Sequence, residues 1–294
     1  MISVHSNKGG SGKTTLAISL AALFAEEEKK VCIIETDLSG AGLYASLELE
    51  MEPYEEQPDL NEYLLEVPSQ TKKIDVQSLL WRYTDDENGI KFWVIKCSPD
   101  SDVKSQTLAV AERERSIGWM KYRLLDLTNE MKDEFDYCIF DCPPGIDGMS
   151  LASLAITLKW SGIPIFISTP DRSHIIGTFL ELVDRETTNQ SHKKISLLPE
   201  RTFVVVNRVP LVCQEVYKTG ESLIEAIVSN KVLNLKHRSS IASIQLPLYD
   251  FILEDDSLAK QFLLGSTGNV DLESIKRTNI PRIAKQIQDK LKEG

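Results

Sequence analysis

Residues 7–15 read Asn7-Lys8-Gly9-Gly10-Ser11-Gly12-Lys13-Thr14-Thr15. The glycines at 9, 10 and 12 let successive backbone N–H groups turn inward around phosphate oxygens. Lys13 then supplies a point charge to the outer phosphates, and the Thr14 hydroxyl can ligate Mg²⁺. The flanks have the order such a loop needs. Ile2 to Ser6 is a short β-rich run. Thr14 to Glu28 carries Leu16, Leu20, Leu23 and Phe24 at helical spacing. A helix opening at this point adds the positive end of its dipole to the cradle. The stretch therefore predicts a site for ATP, or a close nucleotide relative, with Mg²⁺, lined by Gly9, Gly10, Ser11, Gly12, Lys13, Thr14 and Thr15.

Working outward, strands and helices alternate. Apolar runs fall at Val31–Ile34, Ile90–Cys97, Asp136–Phe140, Ile163–Ser168 and Thr202–Val206. Between and after them lie helical patterns at Glu112–Met131, Ser150–Leu158, Ile175–Arg185, Glu215–Val228, Ser257–Leu264 and Pro281–Leu291. Gln70–Tyr83 reads as a further helix, and Ile241–Leu246, before Pro247, as extended chain. Continuous apolar strands separated by helices predict an α/β fold, a doubly wound, mostly parallel sheet flanked by helices. Ligands of such sheets sit beyond the carboxyl ends of the strands. Polar residues recur at those ends: Asn7, Asp37, Asp141, Thr169 and Asn207. Asp141, closing an apolar run, is placed to hold Mg²⁺ through its waters. Asp37 can orient a water for attack on the terminal phosphate or reach the metal.

The loop departs from the general pattern G-x-x-x-x-G-K-[ST], because Asn7 stands where the first glycine belongs and a second lysine, Lys8, follows. It resembles the deviant Walker A loop, K-G-G-x-G-K-T-T, of the ParA/MinD superfamily of dimerising ATPases. Asp141-Cys142-Pro143-Pro144-Gly145 is similar to that family's D-x-P-P-G segment. The resemblance runs in order over roughly residues 2 to 265 and implies a single P-loop ATPase domain over residues 1–294. It also implies a homodimer bridged by ATP, in which Lys8 reaches the partner's nucleotide, and a slow hydrolysis stimulated by a partner protein. Catalytic roles fall on Lys8, Lys13 and Asp37, and metal binding on Thr14, Asp37 and Asp141. By the same resemblance, Gly145 would sense the terminal phosphate, and Asn207, Arg208 and a Pro247 loop with Tyr249 and Asp250 would recognise the base. Thr169-Pro170-Asp171 matches a segment of architectural character, and Glu35 stands where many relatives have Asp.

Composition bounds the remaining choices. The formal charge of -11 opposes a whole-surface attraction to DNA or anionic lipid. Residues 185–238, however, hold nine Lys/Arg against five Glu, which keeps non-specific DNA among the expected partners. The C-terminal stripe, Ile283, Ile287 and Leu291, is narrow and lacks an aromatic, so docking on the sheet is expected before membrane attachment. Glu48 to Glu66 carries eight acidic residues and no basic one, the pattern of a solvated face. Five cysteines at irregular spacing make neither a disulfide framework nor a metal motif. With no secretory or membrane-spanning pattern, a cytoplasmic protein is expected. DNA segregation or intracellular positioning leads the functional readings. A membrane-associated division-site regulator and a nucleotide-binding scaffold or maturation protein with negligible hydrolysis are the alternatives.

Overall fold

A computed structural model describes residues 1–40, 42–47, 57–66, 74–86, 88–111, 114–146, 148–187, 201–229, 233, 235–242, 244, 246, 248–255 and 270–293. Eight strands form one sheet: β1 (Ile2–Ser6), β2 (Val31–Glu35), β3 (Trp81–Asp85), β4 (Ile90–Ile95), β5 (Tyr137–Pro144), β6 (Ile163–Ser168), β7 (Phe203–Val209) and β8 (Leu248–Leu253). Their spatial order is β3-β4-β2-β5-β1-β6-β7-β8. Every neighbouring pair is parallel except β3 with β4. The expected α/β class holds, and the strands are continuous apolar runs because both sheet faces are covered.

The helices are α1 (Lys13–Glu26), α2 (Gly42–Ser46), α3 (Leu60–Leu65), α4 (Ser101–Ala111), α5 (Glu114–Met131), α6 (Gly148–Lys159), α7 (Arg172–Thr187), α8 (Gly220–Val228), α9 (Leu235–Ala242), α10 (Leu272–Lys276) and α11 (Ile280–Lys292). On one face α1, α10 and α11 pack on Ile2, Val4, Ile33, Ile139, Ile165 and Val205. On the other, α3, α5 and α6 cover Cys32, Ile34, Ile95 and Phe140, while α7 and α8 cover Phe166, Val204 and Val206. The C-terminal stripe docks as expected: Ile283 and Ile287 are fully buried, and Leu291 packs beside them.

Several elements correct the sequence reading. Trp81–Asp85 is a strand, not the end of a helix, and only a 3-10 turn, Val76–Leu79, precedes it. Trp81 and Tyr83 face inward and Arg82 and Thr84 outward, a period of two that suits β-formers. Gly89, at φ +67°, lies in the turn that joins this strand antiparallel to β4. Ile241 belongs to a helix and the strand begins after Pro247, with the continuous apolar run Leu248–Leu253 in the sheet. The Glu215–Val228 helix divides: Leu211–Tyr217 is 3-10, and Thr219 caps a separate α8. In the acidic stretch, α3 is no solvated face, since Leu60, Asn61, Tyr63 and Leu64 are buried under an Asp59 cap. Helix α4 was not anticipated. The Ser257–Leu264 reading and Pro247 lie outside the described residues.

Candidate functional site

Register gathers the site. Val4 and Glu35, on the strands either side of β5, both pair with Asp141. The carboxyl ends of β1, β2, β5, β6 and β7 thus open on one edge, and the loop from Asn7 to Gly12 runs along it into α1. Gly10 and Gly12 adopt φ of +74° and +95°, a region that only glycine enters freely. A Cβ on Gly12 would stand 2.3 Å from Asn207 Nδ2. That amide donates to the Ser11 carbonyl at 2.9 Å, and its oxygen accepts the Arg208 N–H at 2.9 Å. Asn207 therefore braces the phosphate loop through its amide nitrogen, while its amide oxygen is held by the backbone of β7. Arg208 is exposed beside it, at φ +58°.

Beneath the loop, buried Lys13 donates from Nζ to Ser6 Oγ at 3.0 Å, and Ser6 Oγ donates to the Lys8 carbonyl at 2.7 Å. Thr14 Oγ1 donates to Asp141 Oδ2 at 2.7 Å. Asp141 is 3% exposed, and among the described residues its Oδ1 has no hydrogen-bond partner. Burial pushes this carboxyl up to about 6, against the pull of the Thr14 bond and the Lys13 charge. Ser11 Oγ is likewise buried without a partner. A buried anionic oxygen left without a donor is costly, and a hydrated cation beside Thr14 would satisfy it. These groups fit Mg²⁺, which binds one or two carboxylates plus phosphate oxygens. The described residues contain no group of three His, Cys, Asp or Glu able to cage a metal unaided.

Asp37 stands on the half-buried corner after β2, where Oδ1 accepts from Ser39 Oγ at 2.7 Å and Ser39 N at 3.3 Å. Thr36 ties that corner to β5, donating N–H and hydroxyl to the Asp141 carbonyl at 2.9 and 3.1 Å. Glu35, 1% exposed, accepts the N–H groups of Leu43 and Cys97. Burial pushes its carboxyl up to about 7, and these donors pull it back. Gly145, at φ +84°, donates its N–H to the Ser6 carbonyl at 2.9 Å. Thr15 is half-buried in the first turn of α1.

Lys8 is exposed, and its ammonium rests on Ser173 Oγ at 2.6 Å, in the first turn of α7. Asn7 reaches the same helix: a Cβ on Gly177 would fall 1.9 Å from its Nδ2. Asp250 turns away from the edge, pairing with Arg282 of α11, and the Tyr249 hydroxyl donates to the Tyr217 carbonyl. Neither residue joins the loop. Sequence reasoning missed Ser6, which links Lys13 to the loop backbone, and Gly177, which makes room for Asn7. A lone glycine inside a helical pattern was the available signal for Gly177.

Known proteins resemble this chain in sequence and in fold. The AAA_31 family model, an AAA domain, matches residues 1–160. An uncharacterized ATP-binding protein of Methanocaldococcus jannaschii is 28% identical over 233 residues, covering 79% of this chain and 72% of its own. The septum site-determining protein MinD of Bacillus subtilis is 26% identical over 240 residues, 80% of this chain and 73% of its own. The structure of MinD from Pyrococcus horikoshii in complex with Mg-ADP superposes with a TM-score of 0.60 at 15% identity, over 99% of this chain and 94% of that one. With the family model spanning more than half of its length, this chain belongs to the AAA_31 family of AAA-domain proteins, within the ParA/MinD superfamily of P-loop ATPases.

Proposed function

We propose that this chain is a Mg-ATP-dependent switch that hydrolyses ATP slowly and, as a homodimer bridged by nucleotide, engages and releases a surface or partner in the cytoplasm. The observation that carries the reading is the buried Asp141 carboxylate, bonded to Thr14 through Oδ2 with Oδ1 left open, directly under the phosphate loop. Backbone N–H groups of residues 9–15 receive the phosphates, and Lys13 balances their charge. A divalent ion at Thr14 and Asp141 would neutralise charge that develops on the transferred phosphoryl group. Asp37 orients the attacking water and accepts its hydrogen bond. Lys8, exposed at the loop's rim, serves the nucleotide of a second copy. Gly145 exchanges its Ser6 partner for the terminal phosphate, so occupancy is transmitted to β5 and α6. Asn207 and Arg208 lie beside the loop for the base, with Asn207 also bracing Ser11.

DNA segregation or intracellular positioning remains the preferred role, with an activating protein partner. The docking of Ile283 and Ile287 in the core disfavours a lipid-binding C-terminal helix. Among the described residues no helix is long and apolar enough to cross a membrane. Turnover of ATP by the unmutated chain, beside Asp37→Ala, tests the chemistry. Measurable phosphate release abolished by the substitution is expected. Equal rates in the two proteins would remove Asp37 from the mechanism, and no release from either, with nucleotide bound, would favour a scaffold. ATP-dependent retention on DNA but not on liposomes is the expected surface; retention on liposomes alone would overturn it.

A further inference from the structure

Glu35 ends β2 with its side chain in the interior, 1% exposed. Its Oε1 accepts the Leu43 N–H at 3.1 Å, and its Oε2 accepts the Cys97 N–H at 2.9 Å. Cys97 returns the contact, its thiol lying 3.3 Å from the Glu35 carbonyl oxygen. One carboxylate therefore joins three strands of chain: the end of β2, the first turn of α2 and the segment after β4. The loop that carries Asp37 runs from Glu35 to α2, so it is held covalently at one end and by this carboxylate at the other.

The next contact leads into the site. A Cβ on Gly42 would lie 3.5 Å from Glu35 Oε1 and 3.5 Å from Thr14 Oγ1. Gly42 is thus seated between the buried carboxylate and the hydroxyl that bonds Asp141. An independent tether acts from the neighbouring residue. Lys96, 4% exposed, places its ammonium 4.4 Å from the Trp81 ring centre and 6.0 Å from that of Tyr44, the residue after Leu43. The segment after β4 thus reaches α2 directly through Lys96 and, by way of the Glu35 carboxylate, through Cys97.

We infer that Glu35 is a positioning residue for hydrolysis: by holding the N–H groups of Leu43 and Cys97, it sets where the Asp37 loop lies against Thr14 and Asp141. The inference rests on the ATPase reading for its consequence, and on the geometry alone for the tether. When ionised, this carboxylate makes two charge-assisted hydrogen bonds to backbone, each stronger than a neutral one. Asp37 needs such support because, among the described residues, its side-chain hydrogen bonds run to Ser39, within the same corner.

Glu35→Gln tests it. The amide keeps the side-chain length but offers one acceptor oxygen where two are used, and turns an NH₂ toward a backbone N–H. Turnover counted per bound nucleotide should fall on the order of tenfold, with affinity for a non-hydrolysed ATP analogue within about twofold. The concentration of Mg²⁺ needed should also stay within about twofold, since the carboxylate acts on backbone rather than metal. Hydrogen exchange at the Leu43 and Cys97 amides should quicken about tenfold, while Asp37→Ala leaves it slow. Unchanged turnover with unchanged exchange overturns the inference, and so does a raised Mg²⁺ requirement, which would make Glu35 a metal-site group. Exchange on the unmutated full chain needs no variant: fast exchange at both amides overturns the tether. An unmutated chain that binds but never hydrolyses ATP, with both amides protected by Glu35, would sink the ATPase reading and leave the tether standing.

Discussion

Gly12 and Gly42 flank the same phosphate end, yet alanine should behave differently at each. At Gly12 the backbone sits at φ +95° and a Cβ would meet Asn207 Nδ2 at 2.3 Å. Asn207 cannot simply swing aside, because its amide holds the Ser11 carbonyl. Gly12→Ala should therefore cost about 1–3 kcal/mol of stability and abolish measurable ATP binding. At Gly42 a Cβ makes only ordinary contacts at 3.5 Å, so Gly42→Ala should bind ATP within about twofold of the unmutated chain. Titration with a fluorescent nucleotide and thermal melting separate the two. Asp141 gives a second test. Its buried, open Oδ1 opposes ionisation in the nucleotide-free chain. Asp141→Asn keeps an acceptor for Thr14 and removes the buried charge, so without nucleotide it should melt no lower than the original. The gain in nucleotide affinity from Mg²⁺ should shrink by roughly 10- to 100-fold, read by calorimetry with and without the ion. The carboxylate and the loop were legible from sequence because spacing alone requires glycines, lysine and hydroxyl in that order. Ser6, Gly177 and the Glu35 contacts were not, since each depends on which strands and helices become neighbours.

Elements were legible where burial is one-sided or complete over a long run. α1 and the parallel strands β2, β5 and β6 fall within a few residues of their expected bounds. The errors cluster at the sheet's margins. β3 is short, lies on the edge and alternates, so Gln70–Tyr83 could be read as a helix before its antiparallel partner was known. The α9 region combines weak periodicity with a nearby Pro247, and local sequence does not decide between helix and extended chain there. α11 shows the opposite case, a narrow apolar stripe whose surroundings settle its use. Ile283 and Ile287 are fully buried against α1 and the sheet. Ile287→Ala should destabilise the chain by about 2–5 kcal/mol, the range for an emptied core site, measured by urea unfolding. Liposome binding by the full chain should be nil before and after the change. A stripe used for lipid would give the reverse, with little lost stability and much lost binding.

For the whole molecule the decisive question is association. Lys8 is exposed and bonded to a neutral hydroxyl on Ser173, which itself bonds Asp171. A phosphate from a second copy is a stronger, charge-assisted acceptor, so Lys8 can leave Ser173 at little cost. Asp37→Ala with ATP should therefore run at twice the 33.1 kDa chain mass in light scattering. Adding Lys8→Ala should return it to a monomer, whereas adding Ser173→Ala should not. A monomer for Asp37→Ala in ATP would count against the dimer outright. Salt gives an independent check with a sign. Each copy carries a net charge of -11, and two copies repel at long range. Raising ionic strength from about 0.01 to 0.15 M shortens the screening length from about 30 to 8 Å, while the lysine–phosphate contact, enclosed between copies, is screened less. The ATP-dependent dimer should tighten or hold as salt rises. Retention on DNA, which draws on released counterions, should weaken over the same range. Opposite slopes would separate self-association from surface binding in one titration, and a dimer that loosens in parallel with DNA release would mean that exposed ion pairs, rather than the enclosed nucleotide, hold the copies together.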